Sequence, residues 1–331
     1  MLLLLGAVTT AAWVVPRSGR SALRVYCAHD AVHAEKILRQ FEAESGIPVH
    51  VQFDTEATKS LGLMQRIIRE RASPRCDVFW NNEVLGTMQL AELGLLEPYR
   101  GAGHERIPAA HKDPEGRWTG FAARMRVWIV NTNRLQPNEQ VIAEALDDDL
   151  SRVAVAKPLY GTTRTHYTVL WDLWGSQRLE RWHRSWRTGR VREVSGNAAV
   201  KNLVAAGTCD LGLTDTDDFF AAADRGAPVA MLPVRLETGQ VICIPNTVAI
   251  IKGTGQRLAA RALVEFLLSR RTELALARSA SRQIPLGPVD GQPLPDQVRR
   301  LMSDARDAYP LAGLAPASDA CLAWLGAQYL R

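Results

Sequence analysis

The feature that most constrains this chain is the alternation at its start, where short apolar runs are separated by stretches of helical periodicity. Residues 23–27 (Leu-Arg-Val-Tyr-Cys) form a brief buried-strand run. Asp30 then stands where a helix N-cap is wanted, and Ala34, Ile37, Leu38 and Phe41 recur on one helical face until Gly46 stops it. In residues 47–53, Val49, Val51 and Phe53 alternate as in a strand. Residues 58–71 read as a second helix with Leu61, Met64 and Ile68 inward, and residues 77–80 as a third strand. Val84, Met88 and Ala91 mark a third helix closed by Gly94. Strands and helices taking turns in this way predict an α/β fold with a parallel, doubly wound sheet. Ligands of such sheets bind beyond the carboxyl ends of the strands, here residues 27–30, 53–56 and 80–83, all polar.

A second α/β unit follows. Residues 127–131 and 153–156 read as strands, the latter running through Lys157-Pro158-Leu159-Tyr160-Gly161-Thr162-Thr163 into a helix that reaches Trp174. Residues 210–214 form another strand, ending in Asp215-Thr216-Asp217-Asp218. Residues 241–251 are strongly β-prone and carry the chain back toward the first unit, and residues 258–277 read as one long helix before two terminal helices. Two crossings, near residues 117–126 and 237–246, describe a hinge between lobes rather than beads on a linker. The expected division is residues 23–118 plus 245–331 in one lobe and 119–244 in the other. A length of 331 residues suits two such lobes.

Residues 2–15 are almost wholly apolar and too short for a confident membrane span. Residues 1–22 therefore read as a signal peptide or N-terminal anchor, which places the protein in the periplasm or outside the cell. The five cysteines, Cys27, Cys76, Cys209, Cys243 and Cys321, are odd in number and match no zinc spacing, so most read as small buried hydrophobes. The formal charge is +5, and its one concentrated feature is Arg178, Arg181, Arg184, Arg187 and Arg190 beside Trp182 and Trp186. That pattern reads as a helix burying Leu179, Trp182 and Trp186 under solvated arginines rather than as a nucleic-acid face. Docking to an importer or to an anionic membrane is the other use such a face allows.

Seven segments, in order, resemble the ferric-ion-binding branch of the periplasmic solute-binding proteins: residues 25–29 (VYCAH), 76–83 (CDVFWNNE), 94–99 (GLLEPY), 127–133 (VWIVNTN), 156–163 (AKPLYGTT), 196–200 (GNAAV) and 244–253 (IPNTVAIIKG). The resemblance implies the type II periplasmic binding protein fold, two α/β lobes joined by hinge strands and closing on a ligand. It implies the substrate-binding component of an ABC importer, working as a monomer with permease and ATPase subunits. Nucleic acid is not an expected partner, and membrane contact is expected only through docking or the anchor. The wider cluster includes binders of thiamine, polyamines, phosphonates and phosphosugars, so a small organic ligand is the alternative to ferric iron.

The resemblance also implies a site. His29 stands at the position of the metal-binding loop histidine, and Glu83 lies within one position of the usual carboxylate, with Asn82 the other candidate. Where the family carries its consecutive tyrosines this chain has Asp217 and Asp218. The expected metal ligands are therefore His29, Glu83, Asp217 and Asp218, with no resident cofactor. Carboxylates are hard oxygen donors suited to Fe(III), Ca(II), Mg(II) or Mn(II). Asp215, Asp217 and Asp218 together also suit an ammonium group or a polyhydroxy sugar, Trp80 offers a ring for an organic cation, and Asp30 is a further ligand-binding candidate. Alternatively the Asp residues of 215–218 cap the next helix. Tyr160, Gly161, Thr162 and Thr163 precede a helix whose first N–H groups make an anion site, and the resemblance adds Asn197 to it and a synergistic anion as its occupant. An acid at Asp215 repels such an anion. Arg124 and Arg126 sit at the crossing, where one grips an anionic ligand and the other is solvated. Residues 58–60 (Thr-Lys-Ser) offer a further anion contact or a plain cap.

No catalytic set accompanies these residues. The sequence has no Gly-x-Ser-x-Gly elbow, phosphate loop, His-Glu-x-x-His or Gly-x-Gly-x-x-Gly, and adjacent acids make a poor glycosidase pair. The expectation is a binding protein rather than an enzyme. A metal-assisted hydrolase and a sensor domain are the lesser alternatives.

Overall fold

A computed structural model describes residues 21–54, 61–147 and 149–329. The N-terminal apolar segment, residues 55–60 and the expected Thr58-Lys59-Ser60 contact lie outside these. In chain order the strands are β1 (Leu23–Cys27), β2 (Val49–Phe53), β3 (Val78–Asn81), β4 (Leu96–Glu97), β5 (Thr119–Asn131), β6 (Val153–Ala156), β7 (Arg192–Val194), β8 (Leu211–Asp215), β9 (Val229–Pro233) and β10 (Cys243–Ile251). The helices are α1 (Ala31–Ser45), α2 (Leu61–Arg69), α3 (Leu85–Glu92), α4 (Ala102–Arg106), α5 (Glu139–Asp147), α6 (Gly161–Trp174), α7 (Ser176–Thr188), α8 (Asn197–Ala205), α9 (Thr216–Ala223), α10 (Arg257–Leu267), α11 (Arg270–Arg278), α12 (Asp296–Asp304) and α13 (Ala315–Tyr329).

The sheet order is β2-β1-β3-β10-β5-β8-β6-β7, with β4 on β10 and β9 on β5. β1 pairs parallel with β2 and β3, and β6 pairs parallel with β7 and β8. Two parallel α/β halves are thus spliced by antiparallel β5 and β10, the two-lobed arrangement expected. β5 is longer than its predicted residues 127–131 because it belongs to both halves. Its residues Thr119–Met125 pair with β10 and Arg126–Val130 with β8. β3 is buried at every residue and β1 at every residue but Arg24, which is why they read as short apolar runs.

The splice has an irregular geometry fixed by side chains. Ala122 takes a positive φ of 42°, and the β10 register shifts between Pro245 and Asn246. Glu273 of α11, fully buried, accepts from the Ala122 N–H at 2.9 Å, from the Leu286 and Gly287 N–H groups at 2.8 and 3.1 Å, and from Arg106 at 2.6 Å. Asn246 donates to the Ala122 carbonyl and to Gln283 Oε1. A kink unusual for alanine is held in place by these partners.

Several expectations change in detail. The predicted helix over residues 258–277 is two helices, because Ser269 Oγ accepts from the Thr272 N–H and restarts the chain as a new cap. Asp30 stands at the N-cap of α1, but its side chain makes no capping bond there. On α7, Leu179 and Trp186 are buried and Trp182 half-buried, and the five arginines of the row are exposed, as a solvated face requires. All five cysteines are buried, and none is in a disulfide. Among the described residues no helix is long and apolar enough to cross a membrane.

Removing Glu273 leaves three N–H groups without their acceptor and the half-buried Arg106 without its carboxylate. Glu273→Ala is expected to destabilise the protein by about 3–5 kcal/mol, read from the urea unfolding midpoint. A loss below about 1 kcal/mol would show that the kink needs no such anchor.

Candidate functional site

The carboxyl ends of β1, β3, β6 and β8 open on one cleft of about 280 Å³. It is lined by His29, Asp30, Asn82, Arg124, Tyr160, Gly161, Thr162, Thr163, Asn197, Asp215, Asp217 and Asp218, all expected from the sequence. Lys157, Lys201, His33 and Val32 line it as well. Gly161 begins α6 at φ 54°, a left-handed conformation that favours glycine, and α6 has no side-chain cap.

Two expected residues do not reach the cleft. Trp80 is fully buried in β3, stacked beneath His29 at 5.4 Å between ring centroids and tilted against Phe121. It supports the cleft floor and has no face left for a ligand. Glu83 is buried as the cap of α3, where its carboxylate accepts from the Leu85 and Gly86 N–H groups at 2.6 and 2.8 Å and from Asn81 at 3.1 Å. Those bonds remove Glu83 from the expected metal set and leave its neighbour Asn82 at the cleft.

The acids gather on the other lobe. One carboxylate oxygen from each of Asp215, Asp217 and Asp218 lies within 4.8 Å of the others, a spacing that admits a cation. His29 is not part of this group among the described residues. It lies on the cleft floor with Nε2 3.1 Å from Gln283 Nε2. Asp217 Oδ1 accepts from the Asp218 N–H at 3.0 Å, and Asp218 accepts from Thr214 Oγ1 at 3.0 Å with Lys201 Nζ 3.6 Å away. Asp215, at the N-cap of α9, makes no capping bond, so the capping alternative fails for its side chain.

Asp215 turns instead toward the crossing strand. Arg126 meets it at 2.6 Å, Thr162 Oγ1 donates at 2.6 Å and Asn197 Nδ2 at 2.9 Å. Arg124 Nε lies 3.6 Å from Asp215 and 3.8 Å from Asp217, and Arg124 also donates to the Asn82 carbonyl. Neither arginine is solvated, contrary to the expectation for one of them, with exposures of 3% and 0%. Each is drawn inward by the same carboxylate.

Burial pushes the Asp217 carboxyl up to about 7; Arg124 opposes this, while Asp218, Asp215 and Asp30 add to it. The cleft brings Asp30, Asp215, Asp217 and Asp218 together with Arg124, Lys157 and Lys201, and Asp217 is the acid whose charged form burial disfavours.

Lys157, Lys201 and His33 were missed as site residues. Lys157 sits within the AKPLYGTT segment, and Lys201 lies four residues after Asn197, the helical spacing that puts both on one face. Gln283 carried no signal, since only the fold brings it back to His29.

A cleft at the strand ends, shared by two α/β lobes with crossing strands behind it, defines a ligand-binding protein of the type II periplasmic class. Residues 23–279 match the family of bacterial extracellular solute-binding proteins, and the chain belongs to that family. Iron uptake protein A1 of Synechocystis sp. is 25% identical over 299 residues, covering 85% of this chain and 80% of that protein. Among solved structures, iron-bound HitA from Pseudomonas aeruginosa superposes with a TM-score of 0.79 at 20% identity, covering 92% of this chain and 99% of HitA. AfuA from Actinobacillus pleuropneumoniae, bound to exogenous fructose-6-phosphate, gives 0.77 at 18% identity, covering 92% and 98%. At these identities the structural likeness carries the fold.

The Asp217 shift has a stability consequence. Its folded value lies above the ordinary 3.8, so between about pH 4 and about pH 7 the folded chain holds a proton that the unfolded chain has lost. Stability contributed by the protonated form is present at low pH and is lost as pH rises through that window. In chelated, ligand-free protein the Tm advantage of Asp217→Asn over wild type should grow from about pH 5 to about pH 8. A difference that stays constant across that range contradicts the assignment.

Proposed function

We propose that this chain is the ligand-capturing component of an ABC importer for ferric iron, working in the periplasm or outside the cell. The observation that carries the reading is the convergence of Asp215, Asp217 and Asp218 oxygens within 4.8 Å at the cleft. A cation between Asp217 and Asp218 offsets the mutual repulsion of their carboxylates, and hard carboxylate oxygens suit a hard ion such as Fe(III). The curated relatives named as iron uptake proteins support iron over other hard ions.

In this reading residues 23–118 with 245–331 form one closing lobe and 119–244 the other. Closure brings Asn82 and the His29 floor onto the acidic corner, and the ion favours the closed state because only there does it meet both lobes. The loaded monomer then delivers its ion to permease and ATPase subunits. The role is capture and release, with no resident cofactor and no bond made or broken.

A second reading, a phosphorylated organic ligand, is favoured by the uncapped start of α6 with Lys157 and Lys201 nearby. Asp215 opposes it, because its carboxylate fills the corner where a phosphate would rest.

Protein purified without chelator should carry iron by elemental analysis. The double variant Asp217→Ala, Asp218→Ala should lose at least about tenfold in ferric affinity in competition with a chelator. Iron-loaded wild type should also be more compact in small-angle scattering than chelated protein. Unchanged affinity in the double variant removes the acidic pair from the site, and a phosphorylated compound retained in place of iron would establish the second reading.

A further inference from the structure

The corner between α6, α8 and the crossing strand has the construction of an anion receptor. It combines an uncapped helix start at Gly161, the hydroxyls of Thr162 and Thr163, the Asn197 amide and the guanidinium of Arg126. Its side-chain donors are largely engaged within the protein. Arg126 Nη1 is 2.6 Å from Asp215 Oδ1, while Thr162 Oγ1 and Asn197 Nδ2 reach Asp215 Oδ2 at 2.6 and 2.9 Å. Arg124 Nε stands 3.6 Å from the same oxygen. The remaining donors brace this set: Asn197 Nδ2 also reaches Thr162 Oγ1 at 2.8 Å, and Thr163 Oγ1 donates to Asn197 Oδ1 at 3.2 Å.

We infer that Asp215 is a built-in anion: its carboxylate permanently occupies this receptor, so the cleft captures its cation without a co-bound phosphate or carbonate. This rests on the cation reading above. An outside anion entering the corner must displace a carboxylate from two hydrogen bonds and a 2.6 Å ion pair. It would then leave that carboxylate buried, charged and unpaired beside the newcomer. Asp215 is fixed in the chain and needs no capture from solution, and its charge lies next to the Asp217 and Asp218 oxygens. The division of labour follows. Asp217 and Asp218 bind the ion directly, while Asp215 is a positioning residue that fixes the local charge and neutralises the buried Arg126.

The test uses full-length protein and two titrations. In the first, metal-free protein is titrated calorimetrically with inorganic phosphate. Wild type should show no saturable binding, and Asp215→Asn, which vacates the charge while keeping the shape, should gain it. In the second, ferric affinity is measured against a competing chelator with and without phosphate. Wild type should change by less than about twofold, while Asp215→Asn should lose about tenfold and recover when phosphate is added. Saturable phosphate binding by metal-free wild type, or a wild-type ferric affinity that rises about tenfold with phosphate, overturns the proposal. Wild type that binds no ferric iron in either buffer sinks the iron reading, and the metal-free titration still decides the role of Asp215. Should Asp215→Asn fail to fold by circular dichroism, the wild-type phosphate titration decides alone.

Discussion

The ion pair between Arg126 and Asp215 is the constraint on which the site depends. Arg126 is the first residue of β5 to pair with β8, and Asp215 is its partner in that register. The pair is buried, and Thr162, Asn197 and Arg124 supply hydrogen bonds and charge that make it tolerable. Satisfying it draws the starts of α6 and α8 together over the end of β8. The same contact therefore joins the crossing strand, the glycine-led helix start and the acidic loop into one corner.

Around that corner the charges are arranged by reach. Arg126 is committed to Asp215 from below, and Lys201 approaches Asp218 from the side. Arg124 stretches from the acids to the Asn82 carbonyl, linking the two sets of strand ends across the cleft. Asp217 has Arg124 Nε 3.8 Å away, and burial, with the neighbouring acids, pushes its carboxyl up to about 7. The hinge is tied to the same place, since Asn246 at the β10 irregularity holds Gln283, and Gln283 meets His29 on the cleft floor.

The order of elements was legible because each half is a parallel sheet whose strands are short apolar runs and whose helices show one apolar face. β1, α1 and β6 lie where periodicity puts them, within one residue. The break at Ser269 was hidden because Leu267, Leu268 and Leu274 keep a helical apolar pattern across it. Site residues at strand ends, such as His29, Asn82 and Asp215, could be found because topology alone brings strand ends together. Trp80 and Glu83 were misplaced for a local reason. Residue type and loop position are the same for a ligand contact and for a floor or a cap, and only the direction of the side chain separates them. Arg126 was misjudged because its burial is set by Asp215, a partner distant in sequence.

The central claim is that a hard cation is held by the acidic pair of the cleft. A crystal structure of protein loaded with ferric iron, phased on the iron edge, tests it most directly. The account predicts one strong anomalous peak bonded to Asp217 and Asp218 carboxylate oxygens, with Asp215 still paired to Arg126. A peak elsewhere, or no peak in a cleft filled by an organic ligand, would contradict it.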